Sequence, residues 1–267
     1  MTTKWIVTVV GALGWVLLQA QSDNLEVLWS QRDNPEKAQE AIRLLEMQLK
    51  DNPHQPDKVV RLARLYYLWG EQTDEKSLRL ERYNKAFKAC RAELAHQLGL
   101  SEKAKDEEIV KRASKEHLPL LYWAAAALGR WAKHAPFTQK VQARSVVRMF
   151  WDRVMELHPE YFFGGAYRFF GGYYALVPAI TGEQDVNKSR EMFEKSLAAG
   201  PEYLETRVLY AEAYAAHPKV RNLELFRKLL QEVLQANPEV NPECAAENRL
   251  AQRKAQKLLA QETELFE

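Results

Sequence analysis

Arg168 is the residue whose type and surroundings come nearest to chemistry. It stands in Tyr161–Pro178, YFFGGAYRFFGGYYALVP, which holds four of the chain's 11 glycines and a single charge. Read as a helix at 100° per residue, Gly164, Gly165, Gly171 and Gly172 share one side with Tyr161 and Ala175, and Arg168 sits in the middle of it. Phe162, Phe163, Phe169, Phe170, Tyr173, Tyr174 and Leu176 take the other side. An arginine so uncrowded can offer its planar fork to a ligand carboxylate, or it can pair internally with a glutamate such as Glu202 or Glu212. Each interior glycine costs roughly 1 kcal/mol against alanine, so close packing or room for a ligand must compensate. The tyrosines nearby either line an apolar cavity or fill a core, and a buried hydroxyl needs a partner that a wet cavity can supply. The candidate ligand-binding residues are therefore Arg168, Tyr167, Gly164, Gly171, Tyr174 and Tyr210, with a small apolar or carboxylate molecule as the occupant.

Other chemistry is poorly represented. The histidines, at 54, 96, 117, 134, 158 and 217, form no HExxH and no short-range pair that would place two imidazoles on one metal. His158 and His217 each precede a proline, where a cation suits a helix end. There is no phosphate-binding glycine loop, GxSxG elbow or Cys–His nucleophile pattern, so the expectation is a non-enzyme with no catalytic residue, metal or cofactor.

The elements that position these residues read as helices throughout, with no period-2 strand. A helix that ends in proline, with apolar residues eight and four positions earlier, recurs at Leu45/Leu49/Pro53, Trp151/Met155/Pro159, Phe193/Leu197/Pro201 and Leu230/Leu234/Pro238. Proline stops each helix before the next begins, and neither helix of a pair can bury its stripe alone. This predicts an all-α, TPR-like helical-repeat array, an α-solenoid of about 10–12 helices by that spacing. Helices are expected over Asp57–Trp69, Ser77–Leu98, Asp106–Glu116, Pro119–Lys133, Thr138–Leu157, Phe162–Val177, Asp185–Ala199, Glu202–Ala216, Asn222–Ala236 and Cys244–Thr263, with Asp57, Ser101, Thr138 and Asp185 as N-caps. Ser101–Ser114, rich in lysine and glutamate, reads as a solvated face or mobile connection, and LPLLYWAAAALGRW after it as an insertion that could roof a cavity.

With 267 residues, 46% of them hydrophobic, the chain can bury a continuous core, and a net charge of +2 gives no bulk field toward nucleic acid or membrane. Lys4, the apolar run Trp5–Leu18 and Ala20 read as a secretory signal, with an uncleaved anchor as the alternative. The expected organisation is a signal over 1–20, irregular helical repeats over 21–140, and TPR-like repeats with a capping helix over 141–267, in one continuous fold. Cys90 and Cys244 have no framework spacing and read as buried thiols.

The run GAYRFFGGYYALVP, the Gly182 turn and KSREMFEKSLAAGPEYLETRVLYAEAYA resemble the TRAP transporter TatT component family, over roughly Val141–Ala236. That resemblance implies a TPR-like periplasmic helper of tripartite ATP-independent periplasmic (TRAP) transport. It would dock on a solute-binding protein and enclose an apolar cavity, with organic acids as ligands and homo-oligomers open to it. The alternative is a periplasmic TPR scaffold that binds no small molecule. Two features depart from the family pattern: Thr181-Gly182-Glu183-Gln184-Asp185 replaces a Gly-Gly-Asp-like turn, and no cysteine follows the N-terminal apolar stretch to carry a lipid.

Overall fold

The computed structural model describes residues 24–267, all helices and connections, with no strand among them. The signal segment expected over 1–20 lies outside the described residues. Residues 24–30 are helical, followed by α1 (Pro35–Asp51), α2 (Pro56–Glu71) and α3 (Lys76–Gln97). Next come α4 (Asp106–Arg112), α5 (Leu118–His134), α6 (Phe137–Leu157), α7 (Tyr161–Leu176) and α8 (Val186–Ala199). The chain closes with α9 (Glu205–Leu209), which runs into a π-helical segment (Tyr210–Ala215), then α10 (Leu223–Gln235), α11 (Ala245–Ala260) and α12 (Glu262–Phe266). Four helices stop just before Pro53, Pro159, Pro201 and Pro238, because proline cannot continue the hydrogen-bond ladder.

Side-chain caps occur where an Asn or Asp precedes the first turn. Asp185 accepts from the amides of Asn187 and Lys188, Asn34 from Glu36 and Lys37, and Asn222 from Leu225. Asp57 and Thr138 are no caps: each lies inside a helix whose first residue is Pro56 or Phe137. Ser101 caps no helix and instead closes a turn, its hydroxyl accepting from the amide of Lys103.

The charged stretch from Ser101 is anchored rather than loose. Ile109 and Val110 of α4 are buried, and Arg91 of α3 reaches over to Asp106 and the carbonyls of Glu102 and Ala104. Two apolar residues on one face of a short helix suffice to dock it, and the charges around them hid that face. α5 is not a roof but a central helix. Its residues Leu120 through Leu128 are all buried, as expected for a helix apolar all round, and it packs on α2, α3 and α6.

Two apolar cores form. One runs from Leu25 to Phe170 and includes α5; the other runs from Ala175 to Ala255 and centres on Phe193, Phe226 and Leu230. Charged side chains of α2 and α5 meet others of α9 and α11 between parts of the two. Cys90 and Cys244 are buried free thiols.

Candidate functional site

The start of α7 departs from the helix expected there. Phe162 (φ 50°), Phe163 (φ 57°) and Gly164 (φ 69°) all take left-handed backbone, so the right-handed helix begins only after Gly164. Left-handed backbone is natural for glycine but costs a phenylalanine roughly 1–2 kcal/mol through its Cβ. Packing holds the turn. The Phe162 ring meets Tyr122, Trp123 and Tyr203, and the Phe163 ring stacks parallel to Tyr203 with centroids 5.2 Å apart.

Arg168 ties this turn down. It is buried, and its Nη1 donates to the Phe163 carbonyl (2.9 Å) and the Thr206 hydroxyl (3.3 Å). Its Nη2 donates to Tyr122 Oη (3.0 Å) and the Phe162 carbonyl (3.3 Å), and its guanidinium lies 4.3 Å from the centre of the Tyr203 ring. Neither glutamate considered from sequence is its partner: Glu212 pairs with Lys133 at 3.2 Å, and Glu202 accepts from Asn241. The acceptors are backbone carbonyls exposed by the left-handed turn, which no helical wheel displays.

The glycine side divides between two neighbouring helices. A Cβ on Gly171 would lie 2.8 Å from the Phe193 ring of α8, one on Gly164 would lie 2.9 Å from the Ser196 backbone, and one on Gly165 would collide with Tyr122 of α5. Gly172 faces open space. Among the other candidates, Tyr210 stacks on Phe193 (4.9 Å), Tyr174 packs on Phe170 (5.9 Å), and Tyr167 has Lys195 Nζ 6.0 Å from its ring centre. Phe193 thus joins Gly171 to Tyr210, while Ser196 bridges the Gly164 carbonyl (3.0 Å) to Thr206 (3.4 Å) and so to Arg168. Tyr167 and Tyr174 lie apart from that set.

Arg168 proves to be one member of a charged layer between the two apolar cores. In one cluster, Glu247 of α11 accepts from Arg32 Nη2 (2.6 Å) and from Arg64 Nε of α2 (2.6 Å). Burial would raise the Glu247 pKa, but the two guanidiniums hold it down at about 2. In a second cluster, Glu71 and Glu205 share Arg130 and Lys254: Arg130 lies 3.2 Å from Glu71 and 2.8 Å from Glu205, and Lys254 Nζ lies 2.5 Å and 2.9 Å from the same two. Tyr83 also donates to Glu71, and Arg130 Nε donates to Tyr67 Oη at 2.9 Å. Burial is the main reason the Tyr67 hydroxyl is pushed up to about 12. In this layer Arg32, Arg64, Arg130 and Lys254 meet Glu71, Glu205 and Glu247, with Glu243 also near Arg64, while Arg168 is held by neutral acceptors.

The second cluster opens into a cavity of about 230 Å³ lined also by Arg79, Lys133, His134, Glu212 and Lys257. Burial, together with the cations Arg79 and Lys133, lowers the His134 pKa to about 4. The family model described as TAtT, TRAP transporter T-component, matches residues 39–266, a span that takes in the second core, most of the first and this cavity, and leaves Arg32 just outside. The chain belongs to the TRAP transporter T-component family. A comparison with curated proteins found no match. Membership makes it an accessory component of TRAP transport. Among the described residues, no helix is long and apolar enough to cross a membrane.

None of the charged layer was singled out from sequence except Arg168. The signal was nevertheless present, since Arg64 in ARLYYLWG and Arg130 in AAAALGRW are likewise single charges in apolar stretches. Among their partners, Glu205 and Glu247 lie 75 and 183 residues away, beyond any local pattern.

Proposed function

We propose that this T-component acts in the periplasm as a docking partner of a TRAP solute-binding protein, and that it holds a small apolar or carboxylate ligand between its helices. Its helical hairpins are read as a TPR-like array bent until the first and last helices meet. The observation that carries the reading is the family assignment over 39–266.

A docking face is offered where α6 begins and α7 ends. The two helices run antiparallel, since Trp151 stacks on Phe169 and Arg144 contacts Tyr173. Continuing that register brings Phe137 and Val141 to the same end as Leu176 and Ile180, and all four are exposed, Ile180 at 95%. Exposed apolar side chains collected at one end of a charged protein mark a contact surface. Beside them Glu183 is held by Tyr173, Arg144 and Arg148, which fixes the turn at Gly182 (φ 72°). The solute-binding protein is therefore expected to co-purify with the chain, and Ile180→Asp combined with Phe137→Asp should abolish that without lowering the melting temperature. Retained co-purification would remove this face from the docking reading.

One observation favours a scaffold without a ligand at α7. The space over Gly164, Gly165 and Gly171 is taken by Ser196, Tyr122 and Phe193. A ligand held by this protein is better sought at the charged cavity.

A further inference from the structure

We propose that the cavity at the end of the charged layer is a binding site for a small oxyanion, carboxylate or phosphate, held by Arg79, Lys133 and Lys257 over the imidazole of His134. The proposal rests on the ligand-holding part of the functional reading and names its place and chemistry. At about 230 Å³ the cavity is smaller than the roughly 300–1,000 Å³ of drug-sized sites, which restricts its occupant to a small molecule.

The charges around it are unevenly matched. From α2 and α9, Glu71 and Glu205 neutralise Arg130 and Lys254, and Glu212 offsets Lys133. Arg79 of α3 and Lys257 of α11 are left with Asp74 alone, 3.7 Å and 3.6 Å away and 91% exposed. An aspartate so exposed is largely screened by water and neutralises little. The Arg79 Nη2 donates to the Thr73 carbonyl, but its buried Nε–H finds no acceptor. A buried donor without a partner carries a desolvation cost that an acceptor would remove. His134 lies 3.5 Å from Arg79 Nη1, with the Tyr83 ring stacked beside it (6.2 Å). Burial, and after it the nearby cations Arg79 and Lys133, keep it neutral.

An oxyanion here would offset the charge of Arg79 and Lys257, which share only the exposed Asp74, and favour protonated His134. Binding and imidazole protonation are therefore linked: each raises the other, and affinity should increase as pH falls from the His134 pKa of the bound form toward about 4, that of the free form.

The test is a titration of the full chain with succinate and, separately, inorganic phosphate, at constant ionic strength in chloride, followed by the His134 ring resonances and by calorimetry. Saturable binding of one probe with a raised His134 pKa is expected, and the probe that binds tells which source the site accepts. Arg79→Met should weaken that binding at least tenfold while leaving the anion-free melt little changed, and Lys133→Gln should weaken it in the same direction. Arg168→Met, outside the cavity, should leave affinity unaltered. If neither probe moves the His134 resonances at millimolar concentration, or if Arg79→Met and Lys133→Gln bind as the parent does, the site is overturned. Co-purification of a solute-binding protein without anion binding would remove this proposal alone, whereas anion binding without co-purification would remove the docking reading alone.

Discussion

Glu247 shows how one carboxylate can hold a protein together from its interior. It is buried against two arginines from different parts of the chain, Arg32 and Arg64. Removing one partner of a buried ionic set leaves the others desolvated and unmatched, so Glu247→Gln should cost roughly 3–5 kcal/mol, read by chemical denaturation. Its pKa in the fold, about 2, lies below its ordinary value of 4.5, so its contribution is fully present above pH 4.5 and is lost as pH falls toward 2. His134 acts over a different window. Its pKa is lowered from 6.5 to about 4, so the folded state resists protonation and stability declines as pH falls from 6.5 to 4. His134→Gln should reduce the decline in the upper window, where His217, also lowered by burial, still contributes, and spare the lower one, as melts across pH would show. Arg168 adds a third case. Arg168→Met would strand the carbonyls of Phe162 and Phe163 and should lose roughly 1.5–3 kcal/mol in a ligand-free melt. An unchanged melt with weakened ligand binding would instead assign Arg168 to a ligand.

Among the elements, α7 sets the geometry of its neighbours through absent side chains. Gly171→Ala places a methyl 2.8 Å from the Phe193 ring and should destabilise by roughly 1–3 kcal/mol, whereas Gly172→Ala meets nothing within 4 Å and should stabilise by roughly 0.4–1 kcal/mol. Opposite signs at adjacent glycines, measured by thermal melts, would establish that tight packing and not helix propensity governs this helix. The same helix shows what was legible in the sequence. That Gly171 must stay small was readable from its place beside Arg168. Most helices were readable from proline stops and apolar periodicity, many to within a residue or two, though Asp106–Glu116 stops four residues early at Arg112 and Cys244–Thr263 three early at Ala260. The left-handed turn at Phe162–Gly164 was not, because phenylalanine has no local preference for it and only rings from α5 and the Tyr203 region impose it. The break at Glu205 was equally hidden: Glu202–Ala216 reads as one helix, but its first turn is irregular and its end is π-helical.

Across the whole molecule, the charged layer joins the two ends of the chain. Asp33 accepts from Arg249 (2.6 Å) and Arg253 (3.0 Å) of α11, beside the Arg32–Glu247 pair. Asp33→Asn should therefore speed hydrogen exchange across residues 24–34 while leaving α7 and α8 protected; equal acceleration everywhere would mean that the ends are not separately pinned. Composition led to the expectation of one continuous core; neither its division in two nor the charged layer was legible, since the layer's members come from six distant segments. Arg32 and Glu247 stand 215 positions apart, so bringing them together costs about 5 kcal/mol of chain entropy by the loop-closure relation. During synthesis the N-terminal core can condense while the partners of Arg32 and Arg64 have yet to emerge from the machinery that makes the chain. The face that waits for them sets Arg32 and Arg64 over Trp29, Trp123 and Phe162, so its charges are matched only when α11, near the end of the chain, arrives with Glu247.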